Sequence, residues 1–155
     1  MLTDVHLQER NTPDTTAQLI SLSCGSSFSI QSYFSCVVNR VKFLTYSWDI
    51  NWNTYNSHIS IRRPDNQTYY VVLEEIYELS YINDNYVLLF KCKWFDTHPG
   101  RKRVQQHKNR MSIFVKGSSY ENEPFILASQ TEQVFNVDDL FYGMNWKIVE
   151  HFGHR

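Results

Sequence analysis

Val87-Leu88-Leu89-Phe90-Lys91-Cys92-Lys93-Trp94-Phe95 decides the fold. Its even positions, Leu88, Phe90, Cys92 and Trp94, are all apolar, while its odd positions include Lys91 and Lys93. That two-residue period builds a strand with one buried face and one partly wet face. The stretch before it, residues 69–79, alternates too: Tyr69, Val71, Leu73, Tyr77 and Leu79 fall on one face, interrupted by Glu75. The Leu-Glu-Glu-Ile-Tyr-Glu-Leu centre of this stretch also has good helix propensity, so a helix competes with the strand there. Asn83-Asp84-Asn85 supplies a short polar turn between the two segments, which predicts an antiparallel hairpin.

Working outward toward the N-terminus, Thr12-Pro13 pairs an N-cap residue with a first-turn proline and predicts a helix over 14–22. A second hairpin is predicted from residues 32–38 and 41–46 around Asn39-Arg40, because Asn tolerates the positive φ of a tight turn. The register checks itself: Val38 falls opposite Val41, Cys36 opposite Phe43 and Phe34 opposite Thr45 on one face, with Val37–Lys42 and Tyr33–Tyr46 on the other. Residues 48–56 lack periodicity and read as a loop. A short strand over 57–61 and a turn at Pro64-Asp65-Asn66 follow.

Toward the C-terminus, Thr97-His98-Pro99-Gly100 leads into a basic loop over 101–110. Short strands are predicted at 111–115, 125–127, 134–137 and 146–149. Short strands with frequent turns predict a mainly β fold with a minor α part, a small bent antiparallel β-barrel carrying one or two short helices. Residues 1–12 read as an N-terminal arm and 13–155 as a single domain. The sequence shows no internal repeat, heptad or low-complexity linker.

Composition agrees. A chain of 155 residues buries about 70% of its unfolded surface. Ten Tyr, ten Phe and four Trp beside only five Gly favour a sheet-rich core built on large rings. A formal net charge of −1 gives no bulk field toward nucleic acid or membrane. No apolar run approaches the roughly 18 residues of a membrane span. With Asp4 and Glu9 near its start and no apolar signal core, the N-terminus does not read as a secretory leader. Cys24, Cys36 and Cys92, odd in number and widely spaced, fit a reducing, intracellular compartment. Asn66-Gln67-Thr68 matches a glycosylation acceptor and is more simply a turn.

Several pieces recur in a known order and spacing. They are Ser32-Tyr33 to Phe43-Leu44-Thr45, then residues 72–79, then Leu89-Phe90-Lys91-Cys92-Lys93-Trp94-Phe95-Asp96, Pro124-Phe125-Ile126-Leu127-Ala128-Ser129-Gln130, and Gln133-Val134-Phe135. Over residues 18–155 the chain resembles the accessory domain of unknown function found C-terminal to the catalytic core in plant CACTA (En/Spm-type) transposases. It departs from that pattern at Asn39-Arg40, where Asn-Gly is usual, at Thr54-Tyr55-Asn56-Ser57-His58, at Asn136 and over 111–117. A weaker likeness is to the bent barrels of bromo-adjacent-homology domains of chromatin proteins, which is a likeness of fold and does not fix function. The resemblance implies a nuclear module of transposable-element origin that contacts protein or chromatin, with the nuclease core outside these residues.

Glu74, Glu75 and Glu78 are the densest acids near the core, but on a strand Glu74 and Glu75 face opposite sides and cannot share a metal without a bulge. His98, His107 and Cys92 lack zinc-ligand spacing, and His151 and His154 lie near the C-terminus. No catalytic residue, metal or cofactor is therefore expected, and Cys36 and Cys92 read as small hydrophobes. Arg101, Lys102, Arg103, Lys108 and Arg110 lie in a stretch without an acid and are the candidate DNA contacts. Gln105, Gln106 and Asn109 can add hydrogen bonds. The plainer reading is a solvated loop balancing Glu121, Glu123, Asp138 and Asp139. Trp94, Phe95, Tyr77, Tyr81 and Tyr86 are expected near one hairpin end, where exposed rings such as Trp94, Tyr81 and Tyr86 would surround a methylated lysine. Core packing is the commoner use of such rings.

Three functions remain in view. The first is a non-catalytic module for protein or chromatin contact. The second binds DNA directly through residues 101–110, and the third is a domesticated scaffold or relic without a partner. No membrane partner is expected, and oligomeric state is not legible.

Overall fold

The structure, a computed structural model, describes residues 9–10, 29–52, 56–80, 86–96, 102–117 and 124–151. The decisive stretch is strand β7 (Tyr86–Trp94), paired antiparallel with β6 (Thr68–Ser80). Leu88, Phe90, Cys92 and Trp94 are all buried, as the alternation requires. The helix alternative for residues 73–79 is excluded, since β6 is extended throughout its thirteen residues.

One feature of β6 departs from simple alternation. The register against β7 slips between Leu73, opposite Cys92, and Glu75, opposite Lys91. Glu74 is thus the extra residue of a β-bulge, and a bulge flips the parity of every side chain beyond it. Val71 and Leu73 share the main core with Ile76, while Tyr77 and Leu79 turn to the other face, beside Ile30, Leu89 and Phe125. The expected single face from Tyr69 to Leu79 is corrected in this way. Glu75 precedes Tyr77 and Leu79 on that second face, at the end of its buried cluster. It accepts from Lys91 Nζ at 3.1 Å and from the Tyr77 hydroxyl.

Around this pair lie β1 (Glu9–Arg10), β2 (Ser29–Tyr33), β5 (His58–Arg62), β8 (Val104–His107), β9 (Arg110–Phe114), β10 (Phe125–Leu127), β11 (Thr131–Asp138) and β12 (Trp146–His151). The strand order is β1-β2-β6-β5-β11-β12-β9-β8, with β7 on the other edge of β6 and β10 on β7. Every pairing is antiparallel. Long strands change partner partway: β6 meets β5 with its first half and β2 with its last, and β11 passes from β5 to β12. Such a sheet forks and bends, but β1 and β8 end the order without meeting. The fold is mainly β, and it is not the closed barrel the strand lengths suggested.

Strands β3 (Ser35–Val38) and β4 (Val41–Leu44) form the second hairpin, with Cys36 opposite Phe43 and Val38 opposite Val41. Its turn places both Asn39 (φ 50°) and Arg40 (φ 67°) in the left-handed region, the geometry of a type I′ connection. The predicted strand over 32–38 is broken at Phe34, so Tyr33 belongs to β2 and lies opposite Ile76 rather than Tyr46.

Residues 48–52, expected as part of a loop, and Tyr46, expected to end a strand, belong instead to helix α1 (Tyr46–Trp52). No apolar stripe announces it. The buried Thr45 carbonyl accepts from the amides of Trp48 (3.0 Å) and Asp49 (2.9 Å), and Phe34 stacks on Trp48 at 4.9 Å. Asp49 is buried and accepts from Asn56 N, Ser57 N and Ser57 Oγ, which ties the helix to the start of β5. The helix predicted over 14–22 and the turn at Asn83-Asp84-Asn85 lie outside the described residues.

The main core gathers Val38, Phe43, Ile59, Val71, Leu73, Ile76, Phe90 and Trp94 among others. A smaller cluster of Tyr70, Phe95, Ile113, Val134 and Val149 lies under β9, β11 and β12.

Candidate functional site

The predicted basic loop is a hairpin: β8 and β9 pair from Val104–Ile113 to His107–Arg110, with Lys108 at φ 52° in the turn. It forms one edge of the sheet. Lys102, Lys108 and Arg110 are exposed, but Lys102 lies beyond one end of the four-residue β8 and Lys108 and Arg110 lie at the other. Arg103 is not a free cation. It pairs with Asp96 at 3.3 Å and lies over the Phe114 ring at 5.5 Å. Gln105 donates to the Lys102 carbonyl at 3.3 Å. Arg101 lies outside the described residues.

The expected cluster of rings at one hairpin end is not assembled. Tyr86 lies opposite Ser80 and Trp94 opposite Val71, so they occupy opposite ends of the β6–β7 ladder, about 26 Å apart at strand rise. Trp94 is only 3% exposed, edge-on to Tyr69 at 5.6 Å and covered by the Arg63 guanidinium at 4.5 Å. Tyr86 is half-buried against the main core, Tyr77 is fully buried with its ring against Phe125, and Tyr81 lies outside the described residues. These rings belong to packing because β7 turns its even positions inward.

Among the described residues, no group of three or more His, Cys, Asp or Glu converges as a metal site. Cys36 and Cys92 are buried thiols; burial pushes Cys36 up to about 12 and raises Cys92 further, with Glu74 adding to the shift on Cys92. Burial of this kind favours the protonated thiol, the form of a structural cysteine. Among the described residues, no helix is long and apolar enough to cross a membrane.

The surface that stands out was not singled out from the sequence. Between β11 and β12, residues 139–145 turn the chain and present Leu140, Phe141 and Met144 at 93%, 87% and 91% exposure. Large apolar side chains so completely in water, side by side, are uncommon on a monomer's surface. They project from a fixed base. Asp139, only 6% exposed, accepts from the amides of Phe141 (2.9 Å) and Tyr142 (3.2 Å) and from the Ser112 hydroxyl on β9. Its own amide donates to the Trp146 carbonyl at 3.0 Å, and its carbonyl accepts from Gly143 N at 3.0 Å. Gly143 (φ 89°) and Asn145 (φ 76°) supply the left-handed turns. The Ser112 hydroxyl holds the Asp139 carboxyl below the usual carboxylate range against the opposing effect of burial; the Tyr142 and Phe141 amides and the charge of Arg110 add to the lowering.

A relay of rings runs beneath the tip. Phe141 meets Tyr142 edge-on at 4.9 Å, Tyr142 meets Trp146 at 5.2 Å, and Trp146 meets Phe114 at 5.5 Å under the Arg103 guanidinium. The Val115 amide donates to the Asn145 carbonyl at 2.9 Å, and Lys147 pairs with Asp138 at the strand ends. Arg103, read from sequence as a DNA contact, is therefore part of the tip's foundation. In sequence the only pointers were Gly143 and Asn145 flanking Met144, turn residues beside an apolar run.

Residues 77–149 match the family model described as Domain of unknown function (DUF4216). No curated protein and no solved structure matches the chain.

Proposed function

We propose that this domain is a non-catalytic interaction module, derived from a transposase accessory region, that works in the nucleus through contacts with protein or chromatin. The observation that carries the reading is the rigid tip of Leu140, Phe141 and Met144, exposed at about nine-tenths each. Three such side chains offer roughly 500 Å² of apolar surface, the size of a functional patch rather than of scattered surface residues. The resemblance to the domain beside a DNA-cutting core supplies the setting. The acids weighed for catalysis support a structural role, since Glu75 is tied to Lys91 and Tyr77. In a pull-down from nuclear extract the intact domain recovers a chromatin or transposase protein; recovery of neither removes the reading.

Direct DNA binding is the second reading, supported by Lys102, Lys108 and Arg110 exposed along the β8–β9 hairpin. A salt titration with duplex DNA tests it, comparing wild type with the Lys102→Ala, Lys108→Ala, Arg110→Ala triple variant. Three lost phosphate contacts lower the slope of log K against log salt by about 3; an unchanged slope removes the DNA reading. A relic without a partner has no reason to keep a braced apolar tip, so a negative result in both experiments would favour the relic.

A further inference from the structure

We propose that Leu140, Phe141 and Met144 form a pre-shaped plug that seats in an apolar cleft, rimmed by carboxylates, on a protein partner. This deepens the interaction-module reading and rests on it.

Shape comes first. The tip is convex, and its three side chains point into water from a turn fixed by Asp139. A convex apolar knob buries its whole surface only inside a concavity. Against a second, equally convex tip only part of its roughly 500 Å² would be covered, further below the roughly 800 Å² per partner of a stable interface. Phe and Met are also residue types enriched at interface cores.

Charge gives the rim. Asp138, beside the tip, is already paired with Lys147. Lys116 is exposed and follows Val115, whose amide is bonded to Asn145 next to Met144. Lys102 is exposed beside Arg103, whose carbonyl accepts from Phe114 N at 2.8 Å. Among the described residues, the flank of the tip is therefore cationic. Two tips brought together would oppose like charges, which disfavours a second copy, whereas an acid-rimmed cleft complements them. A formal net charge of −1 gives the chain no bulk attraction to an anionic bilayer. Rigidity matters as well: a tip already ordered by Asp139 and the ring relay has little conformational entropy left to lose on docking.

The test places a photo-crosslinking phenylalanine analogue at position 141 of the full chain, with a control analogue at position 106 on edge strand β8. After irradiation in nuclear extract the adducts are mapped by peptide mass spectrometry. The plug predicts one partner segment, apolar and with Asp or Glu close by, and a yield at least about tenfold lower when Leu140→Ser and Met144→Ser are added. Both positions are exposed, so unchanged thermal melting confirms that the variant still folds. Adducts scattered over unrelated segments, a segment rimmed by Lys or Arg, an adduct to a second copy of this chain, or an undiminished yield in the double variant would each overturn the plug. Co-sedimentation of wild type, but not of the Leu140→Ser, Phe141→Ser, Met144→Ser variant, with phosphatidylcholine vesicles containing 30% phosphatidylserine would overturn it in favour of a membrane. A partner captured at position 106 and not at 141 would leave the interaction module standing and remove the plug. Capture at neither position removes both.

Discussion

Replacing Asp139 with Ala tests whether the tip is braced as the structure shows. The carboxylate accepts from the Phe141 and Tyr142 amides and from Ser112 Oγ, and all three donors lose their partner together. Hydrogen bonds to a charged group contribute about 1.5–3 kcal/mol each, but donors that reach water recover most of that. The two amides lie at a turn next to residues in water and rehydrate. Ser112, 4% exposed, does not. The expected loss is about 2–4 kcal/mol in urea unfolding at pH 7, with an unchanged dependence on denaturant. Asp139→Asn keeps the shape: its oxygen still accepts from the amides and its nitrogen donates to Ser112, so the loss falls to about 1 kcal/mol. The pH dependence has a definite sign. Because the folded carboxyl lies below its ordinary value, the stabilisation is complete above about pH 4 and disappears as pH falls through the lower folded value. The gap between wild type and Asp139→Asn should therefore narrow in acid. Hydrogen exchange at the Phe141 and Tyr142 amides should quicken in Asp139→Ala. A loss below about 0.5 kcal/mol, with both amides still protected, would refute the reasoning.

Four further outcomes follow from particular contacts. Phe90→Ala empties a fully buried site against Phe43 and should cost about 3–5 kcal/mol in urea unfolding. Arg40→Gly relieves a left-handed residue in the β3–β4 turn and should raise stability by about 0.5–1 kcal/mol, seen as a higher melting temperature. Burial lowers the pKa of His58, opposed by Asp49 and helped by Lys147, so the unfolded chain takes up the proton first. Stability should be full above about pH 6.5 and fall as pH drops below it, with a shallower fall in His58→Leu by urea midpoint. Arg103→Ala should speed exchange at the tip amides while leaving the salt slope of any DNA binding unchanged, because this cation is committed to Asp96 and Phe114.

What was legible in the sequence was what is locally encoded. Strand β7 reads correctly because four alternate apolar residues all point inward, and the β3–β4 register because a two-residue turn leaves one way to pair Cys36 with Phe43. Parity beyond Glu74 was not legible: a bulge adds a residue without changing the pattern of residue types, so Tyr77 and Leu79 were assigned the wrong face. Helix α1 was hidden for a different reason. It is held by the Thr45 carbonyl, the Trp48 ring and the Asp49 carboxylate rather than by an apolar stripe, and each of those contacts is tertiary or at a cap. The tip is the hardest case. Leu140-Phe141-Tyr142 is an apolar run like those of the core strands, and the turn that carries it outward is braced by the buried Asp139.

The same geometry separates two functions that the sequence had left overlapping. As a string, residues 101–110 look like one electrostatic unit facing one partner. In the fold β8 divides them: Lys108 and Arg110 lie at the turn end, beside the β11–β12 ladder's far end at Val149, whereas Lys102 and Arg103 lie at the Phe114 end, under the tip. A phosphate contact and a protein contact would therefore draw on different cations. Variation at Lys108 bears on nucleic acid alone and variation at Arg103 on the tip alone, whereas the charge of Arg110 also acts on Asp139 beneath the tip. Lys102 and Arg110 are thus shared by both readings, and substituting either by itself decides nothing between them. The discriminating comparison sets Lys108→Ala against Leu140→Ser, Met144→Ser in the same domain. A loss of partner confined to the Leu140→Ser, Met144→Ser variant assigns the contact to the apolar surface, and a loss confined to Lys108→Ala assigns it to charge.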